Sequence, residues 1–354
     1  MINERAIRQY LLSRFPEATG VDIRWLGAGV QGAGFLIEIC TDRSCRSYVV
    51  KALKAEGLGH DYPSDRAGVF LLDLDEFGNL PRHVQALDVL AELGDGSIKS
   101  IGGGIEYYLL MERAEGTDYF TDLRAFASKE RLEARDAEKI RAMTSYLADV
   151  HQTKRASRAL YLRKIRDTIG HGECLMGVFD TYPEGVLSYA EMAAIEKACV
   201  DWRAKLKGKG HRLCRIHGDF HPGNVWFKEG PESGQGCDFV LLDRSRGPWG
   251  DAADDVTALT INYIFFSIVQ HGSVKGAYRE SLELFFGEYL AATGDRELLE
   301  VLAPFFAFRG VVVANPLFYP EVTDEQRAKI FSFVRAVLAV EKFEFDRVNE
   351  YIGA

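Results

Sequence analysis

The sequence predicts an α+β chain in two parts: a small antiparallel sheet at the N-terminal end and a larger, mostly helical part after it. Three observations carry this. A glycine-rich stretch near residue 30 runs into alternating β-branched and aromatic residues with a turn between them. Beyond about residue 114 the apolar spacing changes to the three-and-four rhythm of helices. The chain of 354 residues, 47% hydrophobic, is long enough for about two cores. The expected boundary falls in "MERAEG", giving parts 1–113 and 114–354 joined by a single crossing.

The first residues, "MINERAIRQYLLSRFPEATG", read as an amphipathic helix, because Glu4, Arg5 and Arg8 interrupt the apolar run that a signal peptide needs. Next comes "GAGVQGAG", with Gly27, Gly29 and Gly32 in the order Gly-x-Gly-x-x-Gly. That order suits two phosphate-holding devices: a loop opening a helix against a pyrophosphate, and a glycine lid in a hairpin over ATP. The residues after the glycines separate the two. In "FLIEICTDRSCRSYVVKAL", Phe35, Ile37 and Ile39 alternate with Leu36 and Glu38, "TDRS" supplies a turn, and "SYVVKAL" is a second strand with Lys51 near its end. Gly34 and the branched residues would occupy the first turns of any helix there, where they are poor formers. The acid expected ~20 positions beyond a dinucleotide fingerprint is missing, Lys51 standing in its neighbourhood. The hairpin lid is therefore the better reading.

"SDRAGVFLLDLDEFGNL" has helical spacing, with Ser64 as N-cap and Gly78-Asn79 as stop. "PRHVQALDVLAEL" and "SIKSIGGGIEYYLLMERAEG" read as short strands of the same sheet, the last ending in Met111-Glu112-Arg113. Helices are expected in "DAEKIRAMTSYLADVHQT", in "SYAEMAAIEKACVDWRAKL" and in two closing tracts, 255–292 and 322–352. Between those tracts the aromatics of "FFAFRGVVVANPLFYP" read as core, and residues 160–190 read as a loop-rich insertion. The formal charge of −9, without a basic run, speaks against nucleic acid or an anionic membrane as partner. No uncharged stretch reaches the ~20 residues of a span, so a cytoplasmic protein is expected; no motif speaks to its oligomeric state. Six cysteines, at 40, 45, 174, 199, 214 and 237, lack CxxC spacing and are expected to be reduced, a Cys40–Cys45 bridge being the lesser reading.

The chemistry concentrates in "RIHGDFHPGNVWF", residues 215–227, and "FVLLDRSRGPWGDAADDV", residues 239–256. Asp219 precedes Asn224 by five positions in a loop with Pro222 and Gly223, and Asp243 ends a short apolar strand. Phosphoryl transfer calls for these types: a carboxylate to orient a hydroxyl and take its proton, and a carboxylate with an amide oxygen to hold magnesium. "NVWF" and "FVLLD", on either side of "KEGPESGQGCD", would pair as a hairpin and bring Asn224 close to Asp243.

On these residues the chain resembles the aminoglycoside phosphotransferase and choline-kinase-like family of small-molecule kinases, which have the protein-kinase-like two-lobe fold. "HGDFHPGN" matches the family's His-Gly-Asp-x-x-x-x-Asn, and "GDAADDV" and "LADVHQ" resemble stretches found in the same group. The resemblance implies an ATP- and Mg2+-dependent kinase, GTP being possible, whose partner is a small molecule with a hydroxyl, such as an amino-sugar, sugar or amino alcohol. It implies Asp219 as catalytic base, Asn224 and Asp243 as magnesium ligands, and Lys51 on the nucleotide phosphates under the lid of Gly27, Gly29 and Gly32. It further implies backbone contacts to adenine between Met111 and Ala114, including Arg113, with Asp255 bracing the catalytic loop and His217 tied to backbone near the metal Asp. The acid paired with Lys51 in the family is a glutamate, absent here; Asp65 aligns best, with Asp73 as rival. Arg244 and Arg246, just after the metal Asp, either bind substrate anions or pair with surface acids, the second being favoured. A catalytically silent nucleotide-binding protein of the same fold is the alternative function.

Overall fold

The first helix, α1 (Glu4–Arg14), begins where the Asn3 side chain accepts from the Ala6 N–H at 3.2 Å. The computed structural model describes residues 2–29, 31–55, 58–79, 81–228, 237–244 and 246–353. By its contacts the chain falls into two units, Met1–Met111 and Glu112–Ala354. It is thus a mixed architecture, with a small antiparallel sheet in the first unit and a larger helical second one.

In the first unit β1 (Gly20–Ala28), β2 (Gly32–Cys40) and β3 (Cys45–Leu53) form an antiparallel sheet in that order. The alternation seen in the sequence is the packing pattern: Phe35, Ile37 and Ile39 join Val21, Ile23 and Ile7 of α1 in one core. The ladder ends with Cys40 opposite Cys45, and the two form a disulfide, which corrects the expectation of six reduced thiols. Register explains it: a tight turn places the two side chains face to face. Among the remaining thiols Cys174, Cys199 and Cys214 are buried and Cys237 is half-buried.

The next helix, α2 (Pro63–Glu76), starts a little earlier than expected, with Tyr62 rather than Ser64 at the cap, because Pro63 suits the first helical position. After it β4 (Leu90–Glu92) and β5 (Ile98–Ser100) pair only with each other and do not extend the first sheet. The expected strand through "IEYYLL" is not formed either; residues 102–115 carry no regular structure, and Ile105, Leu109 and Leu110 are exposed. Three consecutive glycines, one of them Gly103 with φ +78°, take the chain out of the ladder.

The second unit opens with β6 (Thr117–Asp118), α3 (Tyr119–Ala125) and α4 (Ala134–Gln152). Residues 160–190 prove mostly helical, in α5 (Arg158–Gly170), capped by Ser157, and α6 (Leu175–Asp180), with α7 (Tyr189–Leu206) after them. Four short strands come next: β7 (Cys214–Arg215), β8 (Val225–Phe227), β9 (Phe239–Leu241) and β10 (Trp249–Gly250). β6, β8 and β9 form one antiparallel sheet, while β7 pairs with β10. The first closing tract is two helices, α8 (Ala252–His271) and α9 (Gly276–Thr293), because Gly272 takes φ +71° and ends α8. "FFAFRG" lies in a further helix, α10 (Ala303–Val313), ahead of α11 (Asp324–Ala339) and α12 (Val348–Tyr351). Among the described helices α8 has the length and hydropathy of a membrane span, and 89% of its apolar window is buried inside the protein.

Candidate phosphoryl-transfer site

The glycine stretch is a hairpin. Gly29 N–H donates to Gly32 O at 2.9 Å and β2 begins at once, so no helix opens there. Gly27, φ +152°, borders an irregularity in the β1–β2 ladder, and a side chain at Gly32 would collide with the Ala52 carbonyl. Lys51 sits opposite Gly34, exposed, with its Nζ 3.9 Å from Asp73 Oδ2. Asp65 Oδ2 instead accepts from the Tyr62 N–H at 2.7 Å. The acid within reach of Lys51 is therefore Asp73, correcting the choice of Asp65: a carboxylate in the first turn is drawn to the unpaired N–H groups of the helix start. Met111 and Arg113 lie in irregular, exposed chain at the junction of the two units.

In the second unit the loop after β7 is held by α8. Asp255, in the first turn of that helix, accepts from the N–H groups of His217 and Gly218, both at 2.7 Å. Its Oδ2 also lies 3.1 Å from Nε2 of His151 on α4, whose Nδ1 is 2.7 Å from the Tyr289 hydroxyl on α9. Three helices thus converge on one carboxylate that fixes two peptide groups of the loop. Gly218, φ +93°, makes the bend before Asp219. His217 Nδ1 accepts from the Asp219 N–H at 3.2 Å, and among the described residues no bond joins this histidine to the backbone near Asp243.

Asp219 O accepts from the His221 N–H at 2.8 Å and from Asn224 Nδ2 at 3.0 Å. Asn224 ends a single tight turn, Pro222–Asn224, that leads into β8. Across the hairpin Val225 pairs with Leu241, and Leu242 N–H donates to Asn224 O at 3.0 Å. Asp243 is the next residue, so Asn224 and Asp243 stand at the same end of one hairpin. The turn segment 229–236 lies outside the described residues. Asp243 has φ +48°, a left-handed conformation rare outside glycine and tolerated by Asp. Its exposed carboxylate, like Asn224 Oδ1, has no hydrogen-bond partner among the described residues. An amide oxygen and a free carboxylate make a hard donor pair of the kind magnesium takes together with phosphate oxygens. No group of three or more His, Cys, Asp or Glu suited to a metal occurs among the described residues.

Motif spacing does not announce what faces Asp219. Arg309 Nη1, from α10, is 2.5 Å from Asp219 Oδ1, and Arg246 Nη1 is 3.4 Å away. Arg309 Nη2 reaches Asp254 Oδ1 at 2.8 Å, and Lys164 Nζ of α5 reaches Asp254 Oδ2 at 2.6 Å. Burial pushes the Asp219 carboxyl up, but Arg309, Arg246 and His221 together outweigh it and hold it down to about 2. Asp254 is likewise held low, against its burial, by Lys164 and Arg309. Burial lowers His221, and the nearby arginines offset the opposing pull of Asp219, so its ring titrates below the ordinary histidine range. Arg244 donates Nε and Nη2 to Ile216 O at 3.2 and 2.8 Å. Among the described residues neither Arg244 nor Arg246 pairs with a surface acid, which corrects that expectation. A lone arginine inside the apolar run "FFAFRG" was the available signal for Arg309, since such a charge needs a buried partner.

The loop thus brings together the residue types that phosphoryl transfer uses. Residues 65–237 match the phosphotransferase enzyme family, a stretch that includes Asp219 and Asn224 and stops before Asp243. No curated protein sequence matches the chain. Among solved structures, a Plasmodium vivax ethanolamine kinase is similar at 11% identity over 97% of this chain and 84% of that chain, with a TM-score of 0.39. A thermostable mutant of the aminoglycoside phosphotransferase APH(4)-Ia gives 16% over 94% and 98%, TM-score 0.37. A glucosamine kinase in complex with glucosamine, ADP and inorganic phosphate gives 14% over 99% and 69%, TM-score 0.35. Likenesses of this degree carry no argument about substrate.

Proposed function

We propose that the protein transfers the γ-phosphoryl group of ATP to a hydroxyl of a small molecule, with magnesium. The observation that carries this reading is the end of the β8–β9 hairpin, where Asn224 and Asp243 present oxygens without a partner among the described residues, beside the loop that holds Asp219. Magnesium, when bound, supplies a positive charge against the charge that develops on the transferring phosphoryl group. Asn224 Oδ1 and the Asp243 carboxylate would hold it. Asp219 orients the acceptor hydroxyl and receives its proton as the oxygen attacks phosphorus; with its carboxyl at about 2, orientation is the larger part of that role. Gly27, Gly29, Gly32 and Lys51 are assigned to the nucleotide phosphates, and the backbone at Met111 and Arg113 to adenine. GTP remains an alternative donor.

A silent nucleotide-binding protein is the second reading. Arg309 favours it by closing on Asp219 Oδ1, the atom a hydroxyl would approach. Turnover decides between them. Purified protein with magnesium and ATP, offered a broad panel of hydroxyl compounds, is expected to phosphorylate at least one. Asp219→Asn is expected to lower that rate by about 10² to 10⁴-fold with little change in nucleotide affinity. An equal rate in the variant sinks the kinase reading; magnesium–nucleotide binding without any turnover favours the silent protein. A cytoplasmic location belongs to the same proposal, since ATP is abundant there, although the Cys40–Cys45 disulfide is more typical of oxidising compartments.

A further inference from the structure

Among the described residues five side chains form a chain of ion pairs around the loop in the second unit: Asp219 and Asp254 as anions, Lys164, Arg309 and Arg246 as cations. Asp219, Asp254, Lys164 and Arg309 are all at least nine-tenths buried, and the Arg246 side chain is 19% exposed. Three positive charges against two negative ones leave an excess positive charge in a poorly solvated place. Such a charge is costly unless something compensates it. The unused donors say where. Arg246 Nε and Nη1 and Arg309 Nε are buried and have no hydrogen-bond partner among the described residues; the 3.4 Å approach of Arg246 to Asp219 is not aligned as a bond. Both guanidinium groups lie over the Phe308 ring, 5.2 and 4.6 Å from its centre, and Lys164 Nζ donates to Arg246 O at 3.3 Å, so the pair is held in place.

We propose that the phosphate acceptor is itself an anion, a hydroxyl compound bearing a carboxylate or a phosphate monoester, and that Arg246 with the free edge of Arg309 binds this group beside Asp219. The proposal rests on the phosphotransferase reading for the word acceptor. A planar guanidinium presents forked N–H donors that match carboxylate and phosphate oxygens. An anion here brings the buried charge to balance and gives the orphaned donors their acceptor. It also gives Arg246, which stands 3.4 Å from Asp219 Oδ1 without an aligned bond, an anionic partner of its own. An ammonium-bearing acceptor would meet the same positive excess and be rejected.

The test uses the full chain and measures binding of acetate, inorganic phosphate and, as neutral control, acetamide, with and without magnesium and a non-hydrolysable ATP analogue. Wild type is compared with Arg246→Met and Arg246→Lys, folding being checked by circular dichroism and the unfolding midpoint. Acetate or phosphate is expected to bind saturably, about tenfold or more weakly in Arg246→Met, with partial recovery in Arg246→Lys. Acetamide is expected not to bind, and the nucleotide analogue not to compete. Tighter acetate marks a hydroxy acid as substrate, tighter phosphate a phosphomonoester. Equal anion affinity in wild type and Arg246→Met overturns the proposal, and so does displacement by the nucleotide analogue, which would give the donors to the nucleotide phosphates. Arg246-dependent anion binding in a protein that binds no nucleotide would sink the kinase reading and keep the anion site. Nucleotide binding and turnover of uncharged or cationic acceptors alone would do the reverse.

Discussion

Asp219 is held in a charged state by its neighbours more firmly than its motif alone would suggest. Its carboxyl is lowered to about 2 by Arg309, Arg246 and His221 against the pull of burial. A carboxyl depressed on folding adds stability above its unfolded value, near 3.9, and loses that contribution as pH falls through the folded value. Wild-type stability is therefore expected to drop by about 2 kcal/mol from this group between about pH 4 and pH 2. Arg309→Met removes the partner of two buried carboxylates and is expected to cost about 3 to 5 kcal/mol near neutral pH, with the acid-induced loss from Asp219 reduced or abolished, because its folded carboxyl rises toward the unfolded value. Urea unfolding across that range checks both, and identical pH profiles in the two proteins would refute the pairing. At this scale the sequence revealed what spacing can reveal. Asp219, Asn224, Asp243 and Asp255 stand in short motifs with fixed offsets. Arg309 lies 90 positions from Asp219 and meets it only through the packing of α10, so no local pattern announces it.

Elements place these residues, and one helix start does most of the placing. Asp255 fixes the N–H groups of His217 and Gly218 from the first turn of α8, and is itself fixed by His151. Asp255→Asn keeps the shape but turns one acceptor oxygen into a donor facing another donor. The expected result is a loss of about 1 to 3 kcal/mol in stability and a lower kcat with the KM for nucleotide little changed. Unchanged kcat in a folded variant would remove Asp255 from the positioning of the loop. The β1–β2–β3 sheet and the β8–β9 hairpin were legible because alternation and turn residues act locally. The strand expected in "IEYYLL" was not, because pairing depends on which edge the glycine run leaves within reach. The cap of α2 shifted for a similar reason: Pro63 and Asp65 together outweigh Ser64 as a start signal.

For the whole molecule, length and the change of apolar rhythm suggest parts 1–113 and 114–354, while by its contacts the chain falls into the units Met1–Met111 and Glu112–Ala354. The helical tract expected over 255–292 is divided into two helices, a break the spacing does not announce, since a single left-handed glycine, Gly272, decides the matter and such glycines also occur harmlessly inside apolar runs. The distribution of sulfur across the fold has a practical outcome. Cys40 and Cys45 are bonded to each other, while burial raises the Cys174 thiol to about 11 and those of Cys199 and Cys214 to about 12. Thiolate is the reactive form, so these three are shielded both sterically and chemically from alkylating reagents. Brief exposure of the native protein to a maleimide dye is expected to attach one label, at Cys237, as peptide mass spectrometry will show; substantial labelling at any other cysteine would contradict the burial described. The natural protein thereby offers a single attachment point for fluorescence, two residues ahead of the strand that leads to Asp243, without any engineered cysteine.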